Sequence, residues 1–62
     1  MNKNTKLFID TIDSLASSQG FYSRLSNSIH RDIEEDSSIL DDLDKNLPKF
    51  NDSVEVILYL EQ

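Results

Sequence analysis

The sequence has no cysteine, one glycine and one proline. Without cysteine, the chain forms neither a disulfide nor a thiolate metal site, and the redox compartment stays open. A single glycine also excludes a glycine-rich loop of the kind that holds a nucleotide phosphate. A folded form of this chain must therefore be held together without a disulfide or a thiolate-bound metal, so its apolar core has to supply the main stabilisation.

Long apolar runs are missing as well. No segment approaches the roughly 20 apolar residues that cross a bilayer. Near the N-terminus, Lys3 and Lys6 are followed by Asp10 and Asp13 rather than by the uninterrupted apolar stretch of a secretion signal. These absences predict a cytoplasmic protein without membrane contact, complete and beginning at its own Met1.

Cations are few in this chain. Six Lys and Arg against 12 Asp and Glu give a formal net charge of -6. The charge is uneven, because residues 1–31 carry four cations and two acids, while residues 32–62 carry two cations and ten acids. A chain of this sign is a poor ligand for nucleic acid or for an anionic membrane, and it suits a basic protein surface as a partner.

The sequence does contain enough apolar residues for one small core. Its 62 residues form one domain at most, and 19 of them are Leu, Ile, Val or Phe. A chain this short buries only about 60% of the surface that its unfolded form exposes. We expect a single small helical domain over residues 1–62 whose stability is marginal.

Apolar residues recur at helical spacing in the first part of the chain. Between residues 5 and 18 they follow each other at intervals of three and four, which predicts an amphipathic helix capped by Asn4 or Thr5. The single glycine, Gly20, stands where a left-handed residue would close that helix, with Phe21 placed for the accompanying apolar contact. A turn before Phe21 is therefore expected.

A second apolar stripe runs over residues 22–47 along one line of a helix and is interrupted only at Asp36. Its members are Tyr22, Leu25, Ile29, Ile33, Leu40, Leu43 and Leu47. As a single helix this stripe would be about 39 Å long, which is more than so small a monomer covers. The polar residues 36–38 favour a break, with Ser38 and Asp41 as the capping box of a third helix.

The C-terminal part is delimited by Pro48, which predicts that the third helix makes its last contact through Leu47. The segment 53–60 has the β-branched and aromatic residues of a strand and is too short for its periodicity to decide. Asp52 and Glu55 have the spacing of a capping pair, and no other strand-like segment is present, so a helix is favoured. A strand that pairs across a dimer is the alternative. The expected fold class is all-α, a small bundle of three to four short helices.

The large aromatic residues divide between the core and a partner. Phe8, Tyr22 and Phe50 are expected to pack inside the domain. Tyr59, close to the end of the chain, is the candidate anchor for partner contact, since tyrosine is over-represented at interfaces.

No arrangement of residues in the sequence forms a metal site. Asp42, Asp44 and Asn46 have the alternating spacing that begins a calcium loop. Leu47 and Ser53, however, stand where such a loop needs a glycine and a bidentate acid. We therefore predict no metal and no cofactor.

Catalytic residues are equally absent from the pattern. His30 is the only histidine and has no nucleophile elbow to serve, so it is interpreted as solvated or packed at an edge. Arg24 and Arg31 lie seven residues apart on one helical face, and Lys3 and Lys6 precede them. We interpret these four cations as solvating the helix or pairing with acids such as Asp10 and Asp13. The prediction is a protein that is not an enzyme.

Two segments carry a resemblance to a known group of proteins. Residues 18–25, Ser-Gln-Gly-Phe-Tyr-Ser-Arg-Leu, and residues 50–61, Phe-Asn-Asp-Ser-Val-Glu-Val-Ile-Leu-Tyr-Leu-Glu, flank an acidic middle. This pattern resembles that of small proteins carried by phages and other mobile elements of Gram-positive bacteria. The resemblance covers most of the chain and implies a helical protein of unassigned activity, without transferring any catalytic or binding residue. It also implies a context, since mobile elements commonly encode compact acidic proteins that block host nucleic-acid enzymes.

The segment 32–44 is the most distinctive, because it holds seven carboxylates and no Lys or Arg. Six of these acids form the predicted partner-binding face: Asp32, Glu34, Glu35, Asp41, Asp42 and Asp44. We hypothesise a non-enzymatic protein-binding module, in its sharpest form an inhibitor whose acids imitate a phosphate backbone and block a host nucleic-acid enzyme. The alternative is a small structural homodimer whose acids only solvate it.

Overall fold

Four α-helices joined by short turns make up the computed structural model, which describes residues 1–62 and contains no strand. The helices are α1 (Lys3–Leu15), α2 (Gly20–Glu35), α3 (Ser38–Asn46) and α4 (Ser53–Leu60). The predicted all-α bundle is confirmed, and the segment 53–60 is a helix rather than the alternative strand. None of the four helices combines the length and the apolar character needed to cross a membrane.

Helix α1 begins two residues earlier than the sequence predicted. The side chain of Asn2 caps it by accepting a hydrogen bond from the backbone N–H of Thr5 at 2.8 Å. The predicted caps, Asn4 and Thr5, are wrong because both side chains are used elsewhere in the fold. Asn4 donates to the carbonyl of Pro48 at 2.8 Å and accepts from the N–H of Phe50 at 2.8 Å, which ties α1 to the segment before α4.

The turn between α1 and α2 is confirmed, but Gly20 does not close α1. No residue of the chain has a positive φ, and Gly20 is the first residue of α2. The chain enters α2 through Gln19 in an extended conformation, with φ -140° and ψ 132°, so no left-handed residue is needed. Phe21 is 53% exposed, and its ring lies edge-on to that of Tyr22.

The break between α2 and α3 occurs at the predicted residues 36–38, but the hydrogen bonds that stabilise it are not the predicted ones. The carboxylate of Asp36 accepts from the hydroxyl of Ser38 at 2.6 Å and from its N–H at 3.0 Å. The predicted capping box of Ser38 with Asp41 does not form, because the Ser38 hydroxyl donates to Asp36 instead. These two bonds, the hydroxyl bond first, lower the pKa of Asp36.

The core lies around α1, which contacts each of the other three helices, whereas α4 packs against α1 alone. Its fully packed centre is formed by Phe8, Ile9, Ile12, Phe50 and Val56. Every member of the predicted apolar stripe beyond Tyr22 packs against this centre, and Tyr22 is itself buried. The prediction that Phe8, Tyr22 and Phe50 lie inside is therefore confirmed. Only eight residues of 62 are buried, which agrees with a marginally stable domain.

Helix α4 is capped as the sequence predicted, with one difference. The carboxylate of Asp52 accepts from the N–H of Glu55 at 3.1 Å. The carboxylate of Glu55 accepts a hydrogen bond from the N–H of Asn51 at 2.7 Å, whereas in a capping pair it would accept from the N–H of Asp52. Tyr59 lies edge-on to Phe50, with ring centroids 5.5 Å apart.

Candidate functional site

Five of the six acids predicted for partner binding are exposed around the corner between α2 and α3. These five residues, which we call the acidic surface, are Asp32, Glu34, Glu35, Asp41 and Asp42. The chain has three ion pairs, and none of them includes a residue of the acidic surface. The structure therefore leaves five carboxylates in water, without a cation of their own, on two consecutive helices.

The acids of α2 stand at the unfavourable end of that helix. The C-terminus of a helix carries a partial negative charge from its aligned peptide dipoles. Asp32, Glu34 and Glu35 lie in the last four residues of α2, and the last turn holds no basic residue. Asp41 is placed differently, because it lies in the first turn of α3, where the helix dipole favours an acid. The α2 acids thus reduce the stability of the helix that carries them.

Two cations border the acidic surface without pairing with it. Arg31 precedes Glu34 and Glu35 by three and four residues, and Lys45 follows Asp41 and Asp42 at the same intervals, which places each cation beside acids on its own helix. Neither cation takes part in an ion pair. The segment 32–44 contains no cation in the sequence, but the surface that it forms in the structure has a cation at each end.

Asp44 does not belong to the acidic surface, and this part of the prediction is corrected. Its side chain is 22% exposed and accepts from the N–H of Asn2 at 3.0 Å and from the hydroxyl of Thr5 at 2.6 Å. The amino group of Met1 lies 3.7 Å from the same carboxylate. Asp44 follows Leu40 by four residues, so it stands on the side of α3 that faces α1.

The contacts of Asp44 also change its acidity. The hydrogen bond from the N–H of Asn2 lowers the pKa of Asp44 most, followed by that from the hydroxyl of Thr5, while desolvation acts in the opposite direction. A carboxylate that accepts several hydrogen bonds is stabilised in its charged form. Asp44 therefore joins α3 to the start of α1 and is a structural residue.

A serine, a histidine and an aspartate meet between α1 and α2. Asp13 accepts from the hydroxyl of Ser26 at 2.7 Å, and its two carboxylate oxygens lie 2.9 and 3.0 Å from Nε2 of His30. In a catalytic triad the histidine bonds the serine, whereas here both bond the aspartate. The cluster consequently links two helices and does not activate Ser26. His30 is 52% exposed, so its prediction as an edge residue is confirmed.

The predicted pairing of cations with nearby acids holds for one pair. Nζ of Lys6 lies 2.6 Å from the carboxylate of Asp10, four residues along α1. Arg24 and Arg31 form no ion pair. No group of three or more acidic, histidine or cysteine side chains is placed to hold a metal ion.

A shallow groove separates α1 from α4. It has a volume of about 320 Å³, and its lining consists of Leu7, Asp10, Thr11, Ser14, Leu15, Ser53 and Ile57. On the outer side of α4, Val54 is 59% exposed and Leu58 is 58% exposed. The predicted anchor Tyr59 is less exposed, at 41%, because its ring packs on Phe50.

Sequence reasoning missed this groove, although a signal was available. Six of the eight residues of α4, all except Ser53 and Glu55, are apolar, so no orientation of the helix against a single neighbour buries them all. Such a helix needs more than one apolar neighbour, and α4 has only α1.

Comparison with protein-family models, with curated proteins and with solved structures finds no match for this chain. The resemblance to proteins of phages and mobile elements stays a prediction.

Proposed function

We propose that this protein is a non-enzymatic protein-binding module that presents its acidic surface to a basic partner. The observation that carries the proposal is the placement of Asp32, Glu34 and Glu35 at the C-terminal end of α2 without a cation in ion-pair contact. Acids at that end lower the stability of a domain whose free energy of unfolding is already small. Proteins break local rules of stability at functional sites and compensate for the cost elsewhere in the fold.

The geometry of the corner supports the same function. Asp36 and Ser38 hold the end of α2 against the start of α3, so the acids of both helices have a defined arrangement. An ordered set of like charges attracts a basic partner over a Debye length of about 10 Å and directs how it docks. A solvated acidic tail lacks that order.

The sharper form of the proposal is that the acidic surface imitates a phosphate backbone. In this form the partner is a host nucleic-acid enzyme, and the carboxylates occupy the cationic groove that otherwise binds DNA or RNA. The net charge of -6 and the predicted context of a mobile element support it. Binding should then compete with nucleic acid and weaken steeply as salt is added.

The experiment is a pull-down from the extract of a Gram-positive host. It compares the proteins that bind the immobilised wild-type chain with those that bind a neutralised variant. The variant carries four changes: Glu34→Gln, Glu35→Gln, Asp41→Asn and Asp42→Asn. We expect a partner to be retained by the wild-type chain and lost with the variant, while helical circular dichroism is unchanged. Excess duplex DNA should displace that partner if the acids imitate phosphates.

A matched control separates the surface from the net charge. The control variant has the same net charge as the neutralised variant. It reaches that charge through four exposed residues outside the acidic surface: Ser17→Lys, Ser18→Lys, Asn27→Lys and Gln62→Lys. It should retain the partner as the wild-type chain does. If the neutralised variant keeps the partner as well, the acidic surface is not the binding site and the proposal is wrong.

A further inference from the structure

Residues 48–62, which we call the C-terminal segment, make few polar contacts with the rest of the fold. The only hydrogen bonds between this segment and residues 1–47 are the two of the Asn4 side chain, with the carbonyl of Pro48 at 2.8 Å and the N–H of Phe50 at 2.8 Å. Each of the three ion pairs of the chain lies outside the segment. Breaking the bonds of one side chain therefore removes the whole polar attachment of the segment.

The apolar contacts of the segment are likewise concentrated on α1. Helix α4 has no neighbouring helix other than α1. The ring of Phe50 stacks on that of Phe8 with centroids 6.0 Å apart, and Tyr59 lies edge-on to the same ring at 6.3 Å. Val56 completes the contact as a fully buried side chain of the core. Because these contacts meet on one helix, they form and break together.

The other three helices are held to one another independently of the segment. Each of α1, α2 and α3 contacts the other two. The carboxylate of Asp44 in α3 accepts from Asn2 and Thr5 at the start of α1, and Asp13 of α1 bonds His30 of α2. The second apolar stripe packs against the core through Leu25, Ile29, Ile33, Leu40, Leu43 and Leu47. The bonds between these helices remain when the segment leaves α1.

We propose that the C-terminal segment opens as one unit while α1, α2 and α3 stay folded. Proteins open locally in cooperative units, and the units with the fewest stabilising contacts open at the lowest free energy. Helix α4 has eight residues, which is too short for a stable helix in isolation, so it unfolds as it leaves α1. The open state uncovers the ring of Phe8 and gives the chain an apolar surface that the closed state hides. The inference involves no residue of the acidic surface and is independent of the proposed function.

Amide hydrogen exchange of the ¹⁵N-labelled chain under native conditions measures this opening. We expect the hydrogen-bonded amides of α4 to share one protection factor, at least about tenfold below that of the best-protected amides of α2. Their exchange should also depend less on added urea, because opening the segment exposes less surface than global unfolding does. Protection of α4 equal to that of α2 would mean that the chain unfolds as a single unit, and the inference would be wrong.

Two variants separate this opening from global unfolding. Asn4→Ala removes both polar bonds of the segment and should lower the protection of α4 by about tenfold. Asn27→Ala, at an exposed position of α2, is its matched control and should change nothing measurable. Tyr22→Leu alters a buried side chain of α2, a helix that is not a neighbour of α4. It should lower the protection of α2 and leave that of α4 unchanged, because the closed and open states both keep the packing of Tyr22.

The effect of Tyr22→Leu on α4 decides between the two modes of unfolding. If this variant lowers the protection of α4 as much as that of α2, the segment does not open separately and the inference is overturned. Should Tyr22→Leu fail to fold, the comparison of α4 with α2 in the wild-type chain and in Asn4→Ala decides the question without it.

Discussion

Reversing two charges at the end of α2 should make the protein more stable. The change is Glu34→Lys together with Glu35→Lys, in the last two residues of a helix that has no cation in its last turn. Both side chains are exposed, so the substitution alters neither packing nor the hydrogen bonds of the corner. The helix dipole disfavours the acids and favours the lysines at this end.

The size of the effect follows from the position of the charges. A charge in the terminal turn of a helix contributes about 0.3–1 kcal/mol, and reversal both removes an unfavourable contribution and adds a favourable one. Four contributions of that size sum to about 1–4 kcal/mol, and because both residues are exposed to solvent we expect the lower part of that range, about 1–2 kcal/mol in total. For a domain of this size, each kcal/mol moves the melting temperature by about 4–8 °C, so the expected rise is roughly 4–16 °C.

Thermal melting followed by circular dichroism at low salt measures this rise. Repeating the melt at about 1 M salt, where the Debye length is about 3 Å, should remove most of it. The matched control is Asp41→Lys, the same reversal in the first turn of α3, where the dipole favours the acid. That variant should melt lower than the wild-type chain, although it also reduces the negative net charge.

Two outcomes would refute the reasoning. If Glu34→Lys with Glu35→Lys melts at or below the wild-type temperature at low salt, the α2 acids are not destabilising. If Asp41→Lys raises the melting temperature as much, general relief of negative charge accounts for the effect and the helix dipole does not. The first outcome also removes the observation that carries the proposed function.

Three further predictions concern the contacts that hold the helices together. Ile12→Ala empties a fully buried position, so urea denaturation should show a loss of about 2–5 kcal/mol from a total of roughly 3–9 kcal/mol; a loss below about 1 kcal/mol would contradict the packing. Asn4→Ala removes both bonds to the segment before α4 and should cost about 1–2 kcal/mol by the same assay, with Asn27→Ala as the exposed control expected to cost nothing measurable. The lowered pKa of Asp44 means that its ionised form adds stability above the ordinary value of 3.8, which is lost as the pH falls below it. Asp44→Asn should therefore melt below the wild-type chain near neutral pH, and the gap should close in acid; a gap that is independent of pH would rule out this account.

The positions of α1, α2 and α3 could be predicted from the sequence because their apolar residues recur at a helical period. The break at residues 36–38 was predictable for a related reason, since short polar side chains compete for the backbone bonds of a helix. The start of α4 was predictable from Asp52, because the side chain of Asp52 accepts a hydrogen bond from a backbone N–H three residues later. In each case the deciding interaction joins residues within four positions of one another.

Some predictions failed because the deciding interaction is distant in sequence. Asn4 was expected to cap α1 and instead bonds residues 48 and 50, which no local pattern reveals. Asp13 was named as one possible partner of a cation, and it bonds Ser26 and His30 of the neighbouring helix instead. Gly20 could be misassigned because a glycine after a helix is compatible with a left-handed residue and with the start of the next helix alike.

The acidic segment shows what the fold adds to the reading of its sequence. Seven carboxylates that look equivalent in the chain serve two purposes, because Asp36 and Asp44 are hydrogen-bonded within the structure and the five of the acidic surface are not. A chain that needed acids only for solubility could place them anywhere on its exposed surface, including the favourable first turns of its helices. This one places five of them beside one corner, and three of the five lie against the dipole of α2. A basic partner that neutralises these acids would remove their unfavourable interaction with the dipole of α2. The free energy of unfolding should therefore increase when the partner binds.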